Sequence, residues 1–233
     1  MPRQRFMTVH ATSIRRSSDI GSVSSNSVAP RKGFYRSFLK RVIDVLAVLI
    51  SFPIVLPFMA LLSFLISLDG HSPVFRQERV GKDGRRFVMW KFRTMVPDAE
   101  KMLDRHLADN ETARCEWETK QKLSIDPRVT RIGRLLRRTS LDELPQIFNV
   151  LKGDMSLIGP RPMMPSQQAL YPGHAYYHLR PGMTGSWQIS ARHTSDFAER
   201  AMYDDIYDRE LSLVTDLRIL FGTVVVVCRG TGV

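Results

Sequence analysis

From Val45 to Leu68 the chain runs for 24 residues without a charged side chain, VLAVLISFPIVLPFMALLSFLISL. As a straight helix such a run reaches about 36 Å, enough to cross the hydrocarbon core of a bilayer. A buried core helix of this length would be unusual in a chain of 233 residues. The segment therefore reads as a membrane element. A secretory signal fits poorly, because the basic leader is too long and no A-x-A-like cleavage site follows.

Its two flanks decide how it sits. Residues 1–41 hold nine basic side chains and one acid, Asp19. The stretch 69–95 holds seven Lys or Arg and three acids. The positive-inside rule draws both flanks to the cytoplasmic side, which a single crossing cannot satisfy and a helix that enters and returns can. Pro53 and Pro57 supply the place to turn: each lacks an N–H, which frees the carbonyls of Leu49 and Pro53, and at a spacing of four their bends add. A Pro-kinked spanning helix is the alternative, since membranes tolerate it. Charge and prolines together favour re-entrance.

The same partition explains the net charge. The whole chain carries +11, which by itself invites nucleic acid, yet +8 lies in residues 1–41 and only +3 in the remainder. No basic motif interleaved with aromatics accompanies it, so a nucleic-acid partner is not expected. Residues 17–27 (SSDIGSVSSNS) are too poor in large apolar groups to offset their ordering entropy and read as disordered. Arg-rich, Ser-rich and acid-poor sequence also describes a transit peptide, a reading that the membrane segment weakens. Two cysteines, Cys115 and Cys228, lie far apart with no CxxC pair, which argues against a disulfide framework or zinc ribbon. The expected organisation is a disordered basic tail over 1–38, a re-entrant membrane helix over 39–69, and a cytoplasmic domain over 70–233. The fold class is α+β: a mostly helical monotopic membrane protein whose small domain contains a short β-hairpin.

Within the domain, 72–77 and 86–92 read as strands flanking the turn Gly81-Lys82-Asp83-Gly84. Residues 97–122 have helical spacing, as do 129–136. Arg128, Arg131, Arg134 and Arg137/Arg138 recur as one basic stripe. Residues 140–151 read as a helix, the Gly- and Pro-rich 159–185 as loop, and 197–213 as helix. Residues 217–228 form a core or interfacial helix too short to span.

No Walker A, GxGxxG or GxSxG pattern occurs, which removes sequence support for those mechanisms. His174 and His178 lack a HExxH context and read as ordinary residues. Asp142-Glu143 carries two readings. Ser140-x-x-Glu143 is a capping-box pattern, and an acid in a first turn suits the helix dipole. Against this, the Arg stripe lies just before the pair, and Arg161 and Arg180 sit in Gly/Pro loops. Guanidinium groups suit phosphate, while a carboxylate pair can hold Mg²⁺ or attack phosphorus. Acids, arginines and a membrane segment point to phosphate chemistry at a lipid surface. The rival of another class is a basic membrane-anchored binding protein without catalysis, and a bitopic protein with its domain outside is a third.

Several long motifs, in one order, carry a resemblance that runs from about Lys40 to the C-terminus. They are Lys40-Arg41-x-x-Asp44, Lys91-Phe92-Arg93-Thr94-Met95, Asp126-Pro127-Arg128, Ser140-Leu141-Asp142-Glu143-Leu144-Pro145-Gln146, the run from Gly153 to Pro162, and the run from Arg180 to Gly185. The chain resembles the bacterial monotopic phosphoglycosyl transferases, the sugar transferase family that starts polysaccharide assembly. It is most similar to the small enzymes of exopolysaccharide synthesis such as undecaprenyl-phosphate galactose phosphotransferases. The resemblance implies Asp142 as nucleophile and Glu143 as Mg²⁺ ligand, with Lys91, Arg137, Arg161 and Arg180 binding phosphate or shaping the pocket. It implies a UDP-hexose donor, undecaprenyl phosphate as acceptor, membrane lipids as partners, release of UMP, and a place at the bacterial inner membrane with the domain on the cytoplasmic face. No single residue distinguishes galactose from glucose, and self-association is left open. The family's membrane helix breaks at a Ser-Pro pair. Here that position reads Leu56-Pro57 with Pro53 added, and Ser51 is the nearby hydroxyl that could serve a freed carbonyl.

Overall fold

The computed structural model of the chain describes residues 33–120, 123, 126–190 and 197–228. The Ser-rich part of the expected tail lies outside them. The fold is mostly helical with two small sheets. In chain order it comprises α1 (Lys40–Ser67), β1 (Val74–Val80), β2 (Arg86–Phe92), α2 (Ala99–Asp109), α3 (Glu111–Lys120), α4 (Arg131–Thr139) and α5 (Gln146–Lys152). Then follow β3 (Ser156–Ile158), α6 (Ala175–His178), β4 (Gly182–Thr184), α7 (Ser186–Ser190), α8 (Arg200–Glu210) and α9 (Leu213–Cys228).

The apolar segment is helix α1, but it starts earlier than expected. Tyr35–Leu39, mostly assigned by sequence to the tail, form a helical turn leading into it. The reason is tertiary: the Tyr35 hydroxyl donates to Asp216 at 2.6 Å and Arg36 pairs with Asp208 at 2.5 Å. The prolines do not end the helix either. Lys40–Ser67 is one continuous element with Pro53 and Pro57 inside, which corrects the break expected there. Ser51 donates to the Val48 carbonyl at 2.8 Å, not to the Leu49 carbonyl that Pro53 frees.

Contact on both sides of the prolines accounts for the continuity. Val48, Phe52, Val55, Met59, Leu62 and Ile66 alternate at spacings of four and three and pack along one face into the main core. That core also holds Phe87, Met89 and Phe92 of β2, Leu136 of α4, Ile147 and Val150 of α5, and Met155. Arg41 donates to the carbonyls of Val150 and Leu151, and Arg93 to that of Ile66 at 3.0 Å, so the body grips both ends of α1. Near its start, Asp44 accepts from Ser156 Oγ at 2.7 Å and from the Leu157 N–H at 3.2 Å. The other face is bare, with Ile50 76% and Ile54 78% exposed.

β1 and β2 form the expected antiparallel hairpin, with Val74 opposite Phe92 and Val80 opposite Arg86. Its turn uses Asp83 at φ +57° and Gly84 at φ +75°. The helical stretch expected over 97–122 divides at Asn110, whose side-chain oxygen caps α3 by accepting from Thr112 Oγ1 at 2.7 Å and the Ala113 N–H at 3.1 Å. Residues 159–185, expected as loop, contain α6 and one strand of a parallel pair, β3 with β4. Strands of three residues give no alternation to read, and their closeness depends on glycine. A Cβ at Gly182 would stand 2.1 Å from the Gly159 nitrogen.

One side chain joins helix to hairpin. Asn149 of α5, 1% exposed, accepts from the Trp90 N–H at 3.1 Å and donates to the Val88 carbonyl at 2.7 Å. It acts as a strand partner for β2. Asn149→Ala strands two backbone groups of β2, each costing about 1–3 kcal/mol when buried unpaired. The expected loss is about 2–4 kcal/mol, read as a lower midpoint in denaturant unfolding of the detergent-solubilised chain.

Candidate active site

Asp142 lies where two helices meet. α4 ends at Ser140 in the left-handed region, φ +57°, with its N–H donating to the Arg137 carbonyl at 3.2 Å. A single tight turn, Leu141–Glu143, follows, and α5 starts only at Gln146 with Pro145 as its N-cap. The continuous helix expected over 140–151 is thus corrected. Pro145 precedes the helix, where its missing N–H leaves no bond unmade. The capping box does not form: Ser140 makes no side-chain capping bond, and the Glu143 carboxylate turns to another partner.

That partner is Lys91 of β2. Its ammonium donates to Glu143 Oε1 at 2.7 Å and stands 3.8 Å from Asp142 Oδ2, so one cation faces both acids. Arg161 approaches Glu143 Oε1 to 3.9 Å. Arg137 packs on the other side, its Nε donating to Thr94 Oγ1 at 3.0 Å. Burial raises the Asp142 carboxyl above the ordinary range, and Glu143 adds to this, while Lys91 and Arg137 oppose it. Asp142 is 9% exposed, so it is sheltered yet open to a ligand.

Of the site residues expected from the sequence, Asp142, Glu143, Lys91, Arg137 and Arg161 come together. The basic stripe does not come with them. Arg128 lies outside α4, paired with Asp126 at 2.7 Å, and Arg131, Arg134 and Arg138 face outward. Only Arg137 turns in, because Gly133, Leu136 and Arg137 share the packed face. Gly133 sets that approach: a Cβ there would stand 2.1 Å from the Thr94 carbonyl oxygen. Arg180 stands apart as well, its Nε donating to the Gly153 carbonyl at 3.0 Å beyond the end of α5.

Two residues the sequence did not single out join the site. A cavity beside Glu143 is lined by Lys91 and Arg161 together with Arg79 and Gln188. Arg79 lies opposite Phe87 in the hairpin and so shares a face with Met89 and Lys91. Burial, with Arg161 and Arg200 nearby, pushes its guanidinium down to about 10, so it stays charged at neutral pH. Alternation along 74–80 carries this signal once the register is known.

No group of three His, Cys, Asp or Glu poised to hold a metal occurs among the described residues. Two adjacent carboxylates still fit Mg²⁺, which keeps several waters and binds through one or two carboxylates plus substrate phosphates. Glu143 has the oxygen donors for this, with Lys91 and Arg161 as its present partners.

An acid pair faced by Lys91, Arg137 and Arg161, with Arg79 in the adjoining cavity, is built for an anionic ligand bearing phosphate. Comparison with known proteins identifies the family. The family model of the bacterial sugar transferases matches residues 35–230, and the chain belongs to that family. It is 44% identical over 197 residues to a UDP-galactose-lipid carrier transferase of Erwinia amylovora, covering 84% of this chain and 41% of that protein. It is 43% identical over 209 residues to an undecaprenyl-phosphate galactose phosphotransferase of Salmonella typhimurium, covering 89% and 43%. It is 39% identical over 210 residues to the exopolysaccharide production protein ExoY of Sinorhizobium fredii, covering 89% and 92%. The chain thus spans about two-fifths of the first two relatives and nearly all of the third.

A raised carboxyl has a consequence for stability. Between the ordinary value and the raised one the folded state binds more protons than the unfolded, so this contribution to stability falls as pH rises through that window. Asp142→Asn removes it. The variant is expected to melt above wild type at pH 7–8, with the gap closing toward pH 4, in thermal unfolding followed across that range.

Proposed function

We propose that the chain transfers hexose-1-phosphate from a UDP-hexose to undecaprenyl phosphate as the first step of exopolysaccharide assembly. The observation that carries this reading is Lys91 bridging Asp142 and Glu143 inside a ring of arginines, where capping would have left both acids facing the helix. A carboxylate oxygen of Asp142 attacks the sugar-linked phosphorus. The bond from that phosphorus to the bridging oxygen breaks, UMP leaves, and a phospho-sugar ester of Asp142 remains. A phosphate oxygen of the lipid then attacks the same phosphorus and releases the Asp142 carboxylate. Lys91 and Arg137 favour the ionised form of Asp142 against its burial, and Arg161 offsets charge on the transferring phosphoryl group. Glu143 would hold Mg²⁺, which when bound neutralises diphosphate charge.

The acceptor side has support of its own. A groove of about 400 Å³ lies between the end of α1 and the start of α4, lined by Leu65, Ile66, Leu68 and Ile132 with Asp69, Arg93 and Arg131. Arg93 is paired with Asp69 at 2.6 Å, and Arg131 beside the apolar walls suits a lipid phosphate.

Placement at the cytoplasmic face of the inner membrane, with both ends of α1 on that side, rests on the charged flanks and on the grip of the body at both ends of α1. Tyr35–Ser67 is long and apolar enough to cross, yet a spanning passage would separate its ends by about 30 Å of hydrocarbon. Phe221 of α9, 72% exposed, and Phe34, 71% exposed, extend the apolar surface at the base of α1. Lys40 ties that base to Asp216 of α9 at 2.7 Å.

Two experiments test the reading. In membranes supplied with UDP-galactose and Mg²⁺, wild type is expected to release UMP and to hold a radiolabelled phospho-sugar on Asp142. Asp142→Asn is expected to lose at least about 10³-fold in rate and all adduct, and substantial residual transfer would remove Asp142 as nucleophile. Single cysteines placed at residue 33 and in the α2–α3 region should react with an impermeant maleimide from the same, cytoplasmic, side. Labelling from opposite sides would establish a spanning helix.

A further inference from the structure

Resting on that reading, we propose that Gln188 binds the donor substrate, its carboxamide hydrogen-bonding a neutral group of the UDP-hexose while Arg79 beside it takes the diphosphate. Gln188 is 8% exposed, and neither its Oε1 nor its Nε2 has a hydrogen-bond partner among the described residues. Arg79 Nε is likewise buried and unpaired among the described residues. Both line one cavity with Lys91, Glu143 and Arg161.

Buried amides are normally satisfied, and an unsatisfied one lining a cavity marks a group that a ligand completes. The surrounding backbone makes room for it: a Cβ at Gly185 would stand 2.8 Å from Gln188 Oε1. Arg79 has no carboxylate bonded to it among the described residues: its Nη2 donates to the neutral Gln77 Oε1 at 2.5 Å, and Arg161 and Arg200 add positive charge nearby, with Glu143 as the neighbouring acid. Arg200 also fixes the approach of Arg161, donating to its carbonyl at 2.5 Å. Cations suit the diphosphate. A carboxamide, with one donor face and one acceptor face, suits a group that offers both in return. A sugar hydroxyl and the N–H/C=O edge of uracil share this chemistry.

The test is Gln188→Met, which keeps the volume and removes both hydrogen-bonding atoms. The KM for UDP-galactose is expected to rise about tenfold or more, with the KM for undecaprenyl phosphate within about twofold of wild type and the melting temperature unchanged or higher. Calorimetric titration with UDP separates the two sources. If UDP alone binds as much more weakly, the amide reads the nucleobase. If UDP binding holds and the preference between UDP-galactose and UDP-glucose changes, it reads the sugar. A donor KM within about twofold of wild type, or a lower melting temperature with both KM values rising together, would overturn the proposal and leave Gln188 a packing residue. Should the methionine variant not fold, Gln188→Glu replaces the donor by an acceptor at equal size and must also weaken UDP-hexose binding. A wild-type protein that binds UDP-hexose and releases no UMP would overturn the transfer reaction alone, because calorimetric titration of wild type and Gln188→Met with UDP-galactose still reads the Gln188 effect, and equal affinities there would overturn the Gln188 proposal.

Discussion

The carboxamide of Asn149 is the contact on which the site depends. By pairing with the Trp90 N–H and the Val88 carbonyl it makes α5 the neighbour of β2, and Lys91 is the next residue along that strand. The turn before α5 carries Asp142 and Glu143, so the docking that holds the helix also sets the cation against the acids. The Asn149 carbonyl closes the other end, accepting from the N–H groups of Gly153, Asp154 and Met155. Arg41 from α1 and Arg180 from the loop before β4 bind carbonyls at that same end, where cations suit the helix dipole. One short helix thus joins the acid pair, the hairpin and the apolar helix.

Around this helix the structure holds groups that stability alone would not select. Asp142 is buried with its carboxyl raised, and Ser140 is left-handed without being glycine. Arg79 is a buried cation with Arg161 and Arg200 as well as Glu143 nearby. These lie together on one side of the core, while the aromatic line Phe52–Phe148–Trp90, with ring centres 6.2 and 6.0 Å apart, supplies conventional packing behind them. At Ser140, Arg79 and Gln188, strain and unmet polarity sit where a ligand can offset them.

The outline was legible for identifiable reasons. Charge-free length disclosed α1, and Gly-rich punctuation between alternating runs disclosed the hairpin. Asp142 and Glu143 were visible as an acid pair beside arginines. Local patterning misled where tertiary contacts set the outcome. The prolines of α1 foretold a break, but core contacts on both sides carry the helix through. The arginines of α4 read as one stripe, yet only Arg137 has Leu136 and Gly133 beside it to bring it inward. Gln188 and Arg79 gave no signal, because being unpaired in a shared cavity is a property of neighbours that sequence does not display.

The sequence by itself determined the apolar helix with positive charge on both flanks, the residue types able to handle phosphate, and the family to which they belong. These follow from composition and order along the chain. Which side of each element faces the site was decided only by tertiary structure. A residue's partner there depends on register, helix phase and the close approach of backbones at Gly133 and Gly182. The Ser140–Glu143 segment shows the division: its letters serve equally as a helix cap, and it becomes a candidate active site only when Lys91, some fifty residues earlier, arrives to bind it.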